Sequence, residues 1–370
     1  MNVDWSGIYG QASAKETLTQ LVNTSRIPHA FLFQGPEGVG KYFIALRYAQ
    51  IINLTGRPDT IYNHISNLRE PYIKYIISLP RGKNETEGSG PVEKLSNDEI
   101  QELKSELEQK IKNPYYNISL DRANIIKISS IREIGKFLSL SYSDIKFRCI
   151  IISNAHLMNE ESQNALLKNL EEPPPGVIFF LLTPYSNLLR ETIRSRCWMV
   201  NFQPLDNDDI KKSLSKYFDV SESVAEEVAP FSDGSVTKAI ELIDNDFKDL
   251  KEKTISLMRY SFGGKFDSAL NELSPFLSEN DSDSIRLLIK MIISWLNDIQ
   301  KFRFKSKDFF FDDHLETLRK FNLKFPDVEL NEIIMKLDYL SSIIKYNINL
   351  HLIALNIIYE LASLTKRINR

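Results

Sequence analysis

The stretch AFLFQGPEGVGKYFIALRYAQII, residues 30–52, decides the fold. Its first four residues, Ala30 to Phe33, make a short apolar run that reads as a buried strand. The run follows Ile27-Pro28, which breaks the helical periodicity of Ala12, Leu18, Leu21 and Val22. Gly35-Pro36-Glu37-Gly38-Val39-Gly40-Lys41 fits GxxxxGK, and residues 42–52 then carry helical spacing. Strand, glycine-rich turn and helix stand in the order that a phosphate-binding βα unit requires. Glycines let backbone N–H groups turn toward phosphate oxygens, and the lysine reaches the β and γ oxygens.

Working outward, Phe147 to Ile152 and VIFFLL at 177–182 are apolar without alternation, which fits strands of a parallel sheet covered on both faces. Between them ESQNALLKNLEEPPP reads as a helix, opened by Glu160, Glu161 and Ser162 and stopped by Pro173 to Pro175. Order resumes before this block with IIKI at 125–128 and a helix near SSIREIGKF. The predicted fold class is α/β, a doubly wound P-loop domain with a parallel sheet. Residues 56–115 hold PRGKNETEGSGP and the charge-rich NDEIQELKSELEQKIK, and read as a surface insertion with a polar loop and an exposed helix. After PLDNDD, near 204–209, the pattern is helical to the end. The expected division is a nucleotide-binding-like domain over 1–205, a small helical lid over 206–245 and an all-α domain over 246–370. A chain of 370 residues is more than one core usually organises.

Composition narrows the function classes. Forty-six Lys and Arg against 49 Asp and Glu give a net charge of -3, which argues against a protein that grips nucleic acid by itself. Cys149 and Cys197 match no zinc spacing and suit a reducing compartment. The opening MNVDWSGIYGQ lacks the blocks of a signal peptide, and no run of apolar residues is long enough to span a bilayer. A cytoplasmic protein is expected.

The phosphate loop lacks its companions. The position after Lys41 should supply a Ser or Thr hydroxyl to Mg²⁺, and Tyr42 stands there. The strand ending at Ile152 should lead to an Asp for the metal and a Glu for the base, and it leads to Ser153-Asn154-Ala155-His156. Asn154 cannot accept a proton, so a general-base contribution of roughly 10²–10⁴-fold is gone together with firm metal binding. Two readings of Gly35, Gly38, Gly40 and Lys41 stand side by side: a tight turn that merely survives, and a site that binds ATP without turnover. Mg and Zn are not expected. His156 taken alone reads as a local hydrogen-bonding residue.

Three ordered blocks, RIPHAFLFQGPEGVGK, AHLMNEESQNALLKNLEEPPPGVIFFLLT and LLRETIRSRCWMVNFQPL, resemble the bacterial DNA polymerase III clamp-loader subunits, the gamma/tau and delta-prime group of AAA+ proteins. The tail is similar too, with SWLNDI and NINLHLIALNIIYEL resembling the collar that joins subunits into a ring. The resemblance implies a pentamer of gamma/tau, delta and delta-prime types that loads a sliding clamp on primed DNA. In it a neighbour supplies the arginine of an SRC motif to each ATP site, which here is Ser195-Arg196-Cys197. Arg196 is thus the expected trans arginine finger, although by itself it reads as a surface salt bridge near a helix end. Motors of the group keep the Ser/Thr, the Asp-Glu pair, four zinc-binding cysteines and a lid arginine after Gly-Ser. This chain has Tyr42, Ser153-Asn154, no cysteine before Cys149, and Gly234-Ser235-Val236-Thr237. Those departures match the delta-prime pattern of a subunit that is not itself an ATPase.

Two other functions remain in view. An active gamma/tau-like ATPase would have to use Asn154 and His156. A free-standing DNA-binding module would use the run Lys301-Phe302-Arg303-Phe304-Lys305-Ser306-Lys307 with Arg132 and Lys136, for which a solvated helix face is the plainer reading at this net charge. Apolar collar helices around Trp295 and Leu355 are expected to hold the subunits together.

Overall fold

A computed structural model of the chain describes residues 3–53, 58–86, 88–140, 145–277, 282–305, 309–344 and 348–366. The chain divides into two compact units, Met1–Ile240 and Glu241–Arg370. In the first, α1 (Ala12–Asn23), β1 (Ala30–Gln34), α2 (Lys41–Ile52), α3 (Pro58–Ser66), β2 (Ile73–Ile76), α4 (Asn97–Lys112), α5 (Ile128–Ser139) and β3 (Arg148–Ile152) follow one another. Then come α6 (Glu160–Glu171), β4 (Val177–Thr183), α7 (Glu191–Arg194), β5 (Trp198–Asn201), α8 (Asn207–Phe218), α9 (Glu222–Val228) and α10 (Val236–Asp244).

The five strands form one parallel sheet in the order β2-β3-β4-β1-β5, with Ala30 opposite Phe179 and Ile150 opposite Phe179 from the other side. Every residue of β3 and β4 is buried, so the non-alternating runs arise because helices cover both faces of the sheet. Phe31 and Phe180 stack at 5.4 Å, and Tyr48 of α2 meets both edge-on, which packs α2 onto the strand that leads into it. Asn53, fully buried, finishes α2. Its side chain donates to the Phe147 carbonyl at 2.8 Å and accepts from the Phe147 N–H at 2.8 Å, tying the helix end to the start of β3.

The expected α/β class, a P-loop domain with a parallel sheet followed by helices, is therefore observed, with corrections inside it. The stretch 56–115 is not all insertion, because Ile73–Ile76 is β2, an edge strand paired with β3. Only Ile73 and Ile76 of its four residues are buried, too short an apolar signal to stand out. At IIKI, where order was expected to resume, Ile126 forms a single parallel bridge to Met158, and α5 begins at Ile128. β5 went unread because WMVN at the sheet edge buries only Val200. The exposed helix of the insertion is α4, started by a capping box in which the Ser96 and Glu99 side chains each accept from the other's backbone N–H. A buried ion pair, Lys127 to Glu85 at 2.7 Å, pins the preceding loop, and Lys127 also donates to the Pro91 carbonyl at 2.9 Å.

The second unit is helical: α11 (Phe247–Phe262), α12 (Phe266–Glu272), α13 (Ser274–Leu277), α14 (Ser282–Arg303), α15 (Leu315–Lys324), α16 (Asn331–Ile343) and α17 (Leu350–Lys366). Trp295 is 2% exposed and packs against Phe262 and Phe321 with ring centroids 5.9 and 5.2 Å away. The two residues expected to hold subunits together therefore separate: Trp295 is core of its own domain, whereas Leu355 is 46% exposed. Of the run Lys301–Lys307, Ser306 and Lys307 lie outside the described residues. Arg303 within it donates to the carbonyls of Val328 at 2.8 Å and Phe325 at 3.0 Å, so it braces the helical domain. Among the described residues, no helix is long and apolar enough to cross a membrane. Trp295→Ala is expected to destabilise the helical domain by about 3–5 kcal/mol in chemical denaturation; a loss below about 1 kcal/mol would contradict its place in the core.

Candidate functional site

The turn from β1 into α2 places the glycine-rich loop at the carboxyl ends of the strands, where α/β sheets hold ligands. Gly38 has φ +68, and a Cβ there would lie 2.3 Å from the Ser235 hydroxyl and 2.7 Å from the Thr237 nitrogen, so only glycine fits. The loop is thereby clamped to the Gly234-Ser235-Val236-Thr237 turn, whose Val236 N–H donates to the Gly38 carbonyl at 3.1 Å. Gln11 adds a second brace that the sequence did not signal. Its amide donates to the carbonyls of Gln203 at 2.6 Å and Val39 at 3.3 Å.

Lys41 opens α2 and folds back on its own loop, donating to the Gly35 carbonyl at 2.6 Å and, still closer, to that of Pro36. Burial pushes its pKa down to about 8, with the nearby Glu37 carboxylate opposing the fall. Around it the structure gathers the positions that the sequence singled out: Gly38, Gly40, Tyr42, Ser153, Asn154 and Thr237 line one cavity. Gly35 belongs to the loop but is not part of that lining. Tyr42 turns its ring onto Tyr75 of β2, with centroids 5.0 Å apart, and burial raises its phenol pKa well above the ordinary value. A buried phenol on a ring held this way does not fit the role of a metal-ligating hydroxyl, and Ser153 and Asn154 put no carboxylate at the end of β3. Among the described residues, no group of His, Cys, Asp and Glu is arranged to hold a metal ion.

The same cavity has a wall that sequence reasoning missed. Lys110, the one buried residue of α4, sets its ammonium 4.3 Å from the centroid of the Tyr42 ring and donates to the carbonyls of Tyr116 at 2.6 Å and Pro114 at 2.9 Å. Desolvation lowers its pKa to about 7. Tyr115 follows, wedged edge-on against Phe43 at 5.8 Å and against Tyr217 of α8 at 5.3 Å, its hydroxyl 3.2 Å from where a Cβ on Gly40 would sit. Asn113 donates to the Tyr217 carbonyl at 2.8 Å. Nothing in the spacing of KIKNPYYN announces these contacts, because Tyr42, Phe43 and Tyr217 are distant in sequence and only the carbonyls of Pro114 and Tyr116 are local.

His156 shares a hydrogen bond with the Thr183 hydroxyl at 3.2 Å and meets Tyr185 edge-on, and burial lowers its pKa. It has the local partner expected of it. Arg196 lies between α7 and β5 and does not line the cavity. Its guanidinium donates to the Thr192 carbonyl at 2.8 Å and pairs with Glu171, at the end of α6, at 2.9 Å; about a third of the side chain is exposed.

A family model described as DNA polymerase III, delta subunit, matches residues 10–206, and one described as DNA polymerase III, delta subunit, C terminal, matches residues 262–363. The chain is 26% identical over 243 residues to DNA polymerase III subunit tau of Bacillus subtilis, covering 64% of this chain and 36% of that one. It is 27% identical over 301 residues to subunit gamma of Buchnera aphidicola subsp. Schizaphis graminum, covering 78% and 72%. It spans about a third of the length of the tau subunits it matches. A solved gamma-subunit-related protein of Thermotoga maritima aligns over 95% of this chain and 99% of that one, at 16% identity and a TM-score of 0.42.

Lys41 and Lys110 are bases whose pKa lies below 10.5 in the folded chain, so between about pH 7 and 10.5 the unfolded chain binds more protons and stability from these groups rises with pH. The thermal midpoint of the wild type, measured against that of Lys110→Met, is expected to gain as pH increases across this window. A difference that is flat or falls would contradict the buried cation.

Proposed function

The chain belongs to the DNA polymerase III delta-subunit family, and on that premise we propose that it is a delta-prime-like clamp-loader subunit. In this reading it is a scaffold that does not turn over ATP and lends Arg196 to the ATP site of a neighbouring subunit as the sliding clamp is loaded on primed DNA. The observation that carries the reading is the convergence of substituted positions on one cavity: Tyr42, Ser153, Asn154 and Thr237 surround the phosphate loop and Lys41. A base cannot be made from Asn154, and His156 is engaged with Thr183.

Arg196 has the properties of a donor. Its planar fork matches phosphate oxygens, and its ion pair with Glu171, about a third exposed on the arginine side and half on the carboxylate side, is worth only about 0–1 kcal/mol, so a phosphoryl group on a neighbour displaces the carboxylate at little cost. An arginine delivered in trans is worth about 10³–10⁵ in rate in other P-loop systems. For assembly with gamma/tau-type and delta-type partners, the helical domain offers Met335 and Tyr339 on α16 and Leu352, Leu355 and Tyr359 on α17, all exposed large apolar side chains. In this reading the protein works in the cytoplasm and meets DNA through the assembly. The alternative is an active gamma/tau-like ATPase, favoured by the tau and gamma relatives. Steady-state ATPase of a reconstituted loader with clamp and primed DNA tests the proposal. Arg196→Ala is expected to lower turnover by about tenfold or more with assembly intact, and unchanged turnover would sink the donor role.

A further inference from the structure

The cavity at the phosphate loop is lined by two buried lysines, and the GxxxxGK motif accounts for only one of them. Lys41 belongs to the loop, whereas Lys110 comes from the helix of the insertion. Along that helix Ile100, Leu103, Leu107 and Ile111 are half-buried, and the one fully buried residue is this lysine, a residue type that is ordinarily solvated. Burying an ammonium group costs several kcal/mol unless opposite charge comes with it. The partners of Lys110 are the carbonyls of Pro114 and Tyr116 and the face of Tyr42, dipoles and a quadrupole with no net negative charge. Lys41 is likewise held by carbonyls. Of the side chains that line the cavity, Glu37 is the one carboxylate, and it is exposed. Tyr42, 6% exposed, also lines it, and its hydroxyl has no hydrogen-bond partner. Burial depresses the pKa of both lysines, and the exposed Glu37 carboxylate opposes that fall at Lys41 alone.

The size of the space restricts what can fill it. Its volume is about 80 Å³, against about 300–1,000 Å³ for pockets that enclose larger organic ligands. Tyr115, which lines this space, stands between Gly40 and Tyr217 of α8, and Asn113 ties the same turn to the Tyr217 carbonyl. We infer that the glycine-rich loop, Lys41 and Lys110 form a metal-independent site for a single tetrahedral oxyanion such as inorganic phosphate, with Lys110 supplying the cationic charge that a metal supplies in a nucleotide site. Tyr42 is then part of the design, because its ring supports the ammonium that takes the metal's part. The inference does not depend on Arg196 acting on a neighbour.

The test uses the full chain in EDTA, titrated with sodium phosphate at ionic strength held constant with sodium chloride, and reads the thermal midpoint together with ³¹P line broadening of orthophosphate. Saturable stabilisation by phosphate without magnesium is expected, with no comparable stabilisation by ATP, whose nucleoside the cavity does not admit. Lys110→Met is expected to weaken phosphate binding about tenfold or more, the loss of one charge-assisted contact. Lys110→Gln keeps an amide for the carbonyls of Pro114 and Tyr116 and separates loss of charge from loss of fold; it should weaken binding as the methionine does. The inference is overturned if phosphate acts no more strongly than chloride, if binding requires magnesium, if ATP binds equally well through Lys110, or if folded Lys110 variants bind like the wild type.

Discussion

The sheet-bearing unit depends on the turn in which β1 passes through three glycines into α2. The strand holds the loop from below through the stacked Phe31, Phe180 and Tyr48, and the lid turn holds it from above, with Ser235 and Thr237 against Gly38 too close for any side chain there. In an ATP-binding relative such a loop is shaped to take phosphates and metal. Here Lys41 turns back to the carbonyls of its own loop and Tyr42 turns into the protein. The geometry of the loop is kept by packing, because Gly38 also admits the close approach of Ser235 and Thr237.

The tyrosine at position 42 draws in residues from two other elements. The ring needs a wall, which Tyr75 provides from β2, and its open face is covered by the ammonium of Lys110. Lys110 is in turn held by carbonyls of the turn that follows α4, and that turn carries Tyr115 to Phe43, Tyr217 and the edge of Gly40. The insertion is thus coupled to the altered loop through contacts that add cation–π, hydrogen-bond and apolar contributions at one place. Its far end is fixed independently by the buried Lys127 and Glu85 pair.

Much of this was legible in the sequence. The non-alternating apolar runs at 30–33, 147–152 and 177–182 announce buried parallel strands, and the loop motif places the site at the first of them. Weaker elements escaped, each for a physical reason. β2 and β5 sit at the two edges of the sheet, where only two residues of β2 and one of β5 are buried and the apolar signal fades. The positions chosen around the loop, from Tyr42 to Thr237, do come together in space, but Lys110 and Tyr115 could not be found. A charged residue in a charge-rich helix reads as solvated, and only tertiary contacts bury it. The helical domain shows the same limit in another form, since periodicity marks Trp295 and Leu355 alike as apolar positions and only packing makes one core and the other surface.

The most direct measurement is phosphate release by the isolated full chain in saturating magnesium and ATP, with Lys41→Ala alongside. A scaffold whose loop faces Tyr42, Ser153 and Asn154 should show no turnover above the variant or the protein-free background. Sustained hydrolysis that vanishes in Lys41→Ala would contradict the account and make this chain a motor subunit.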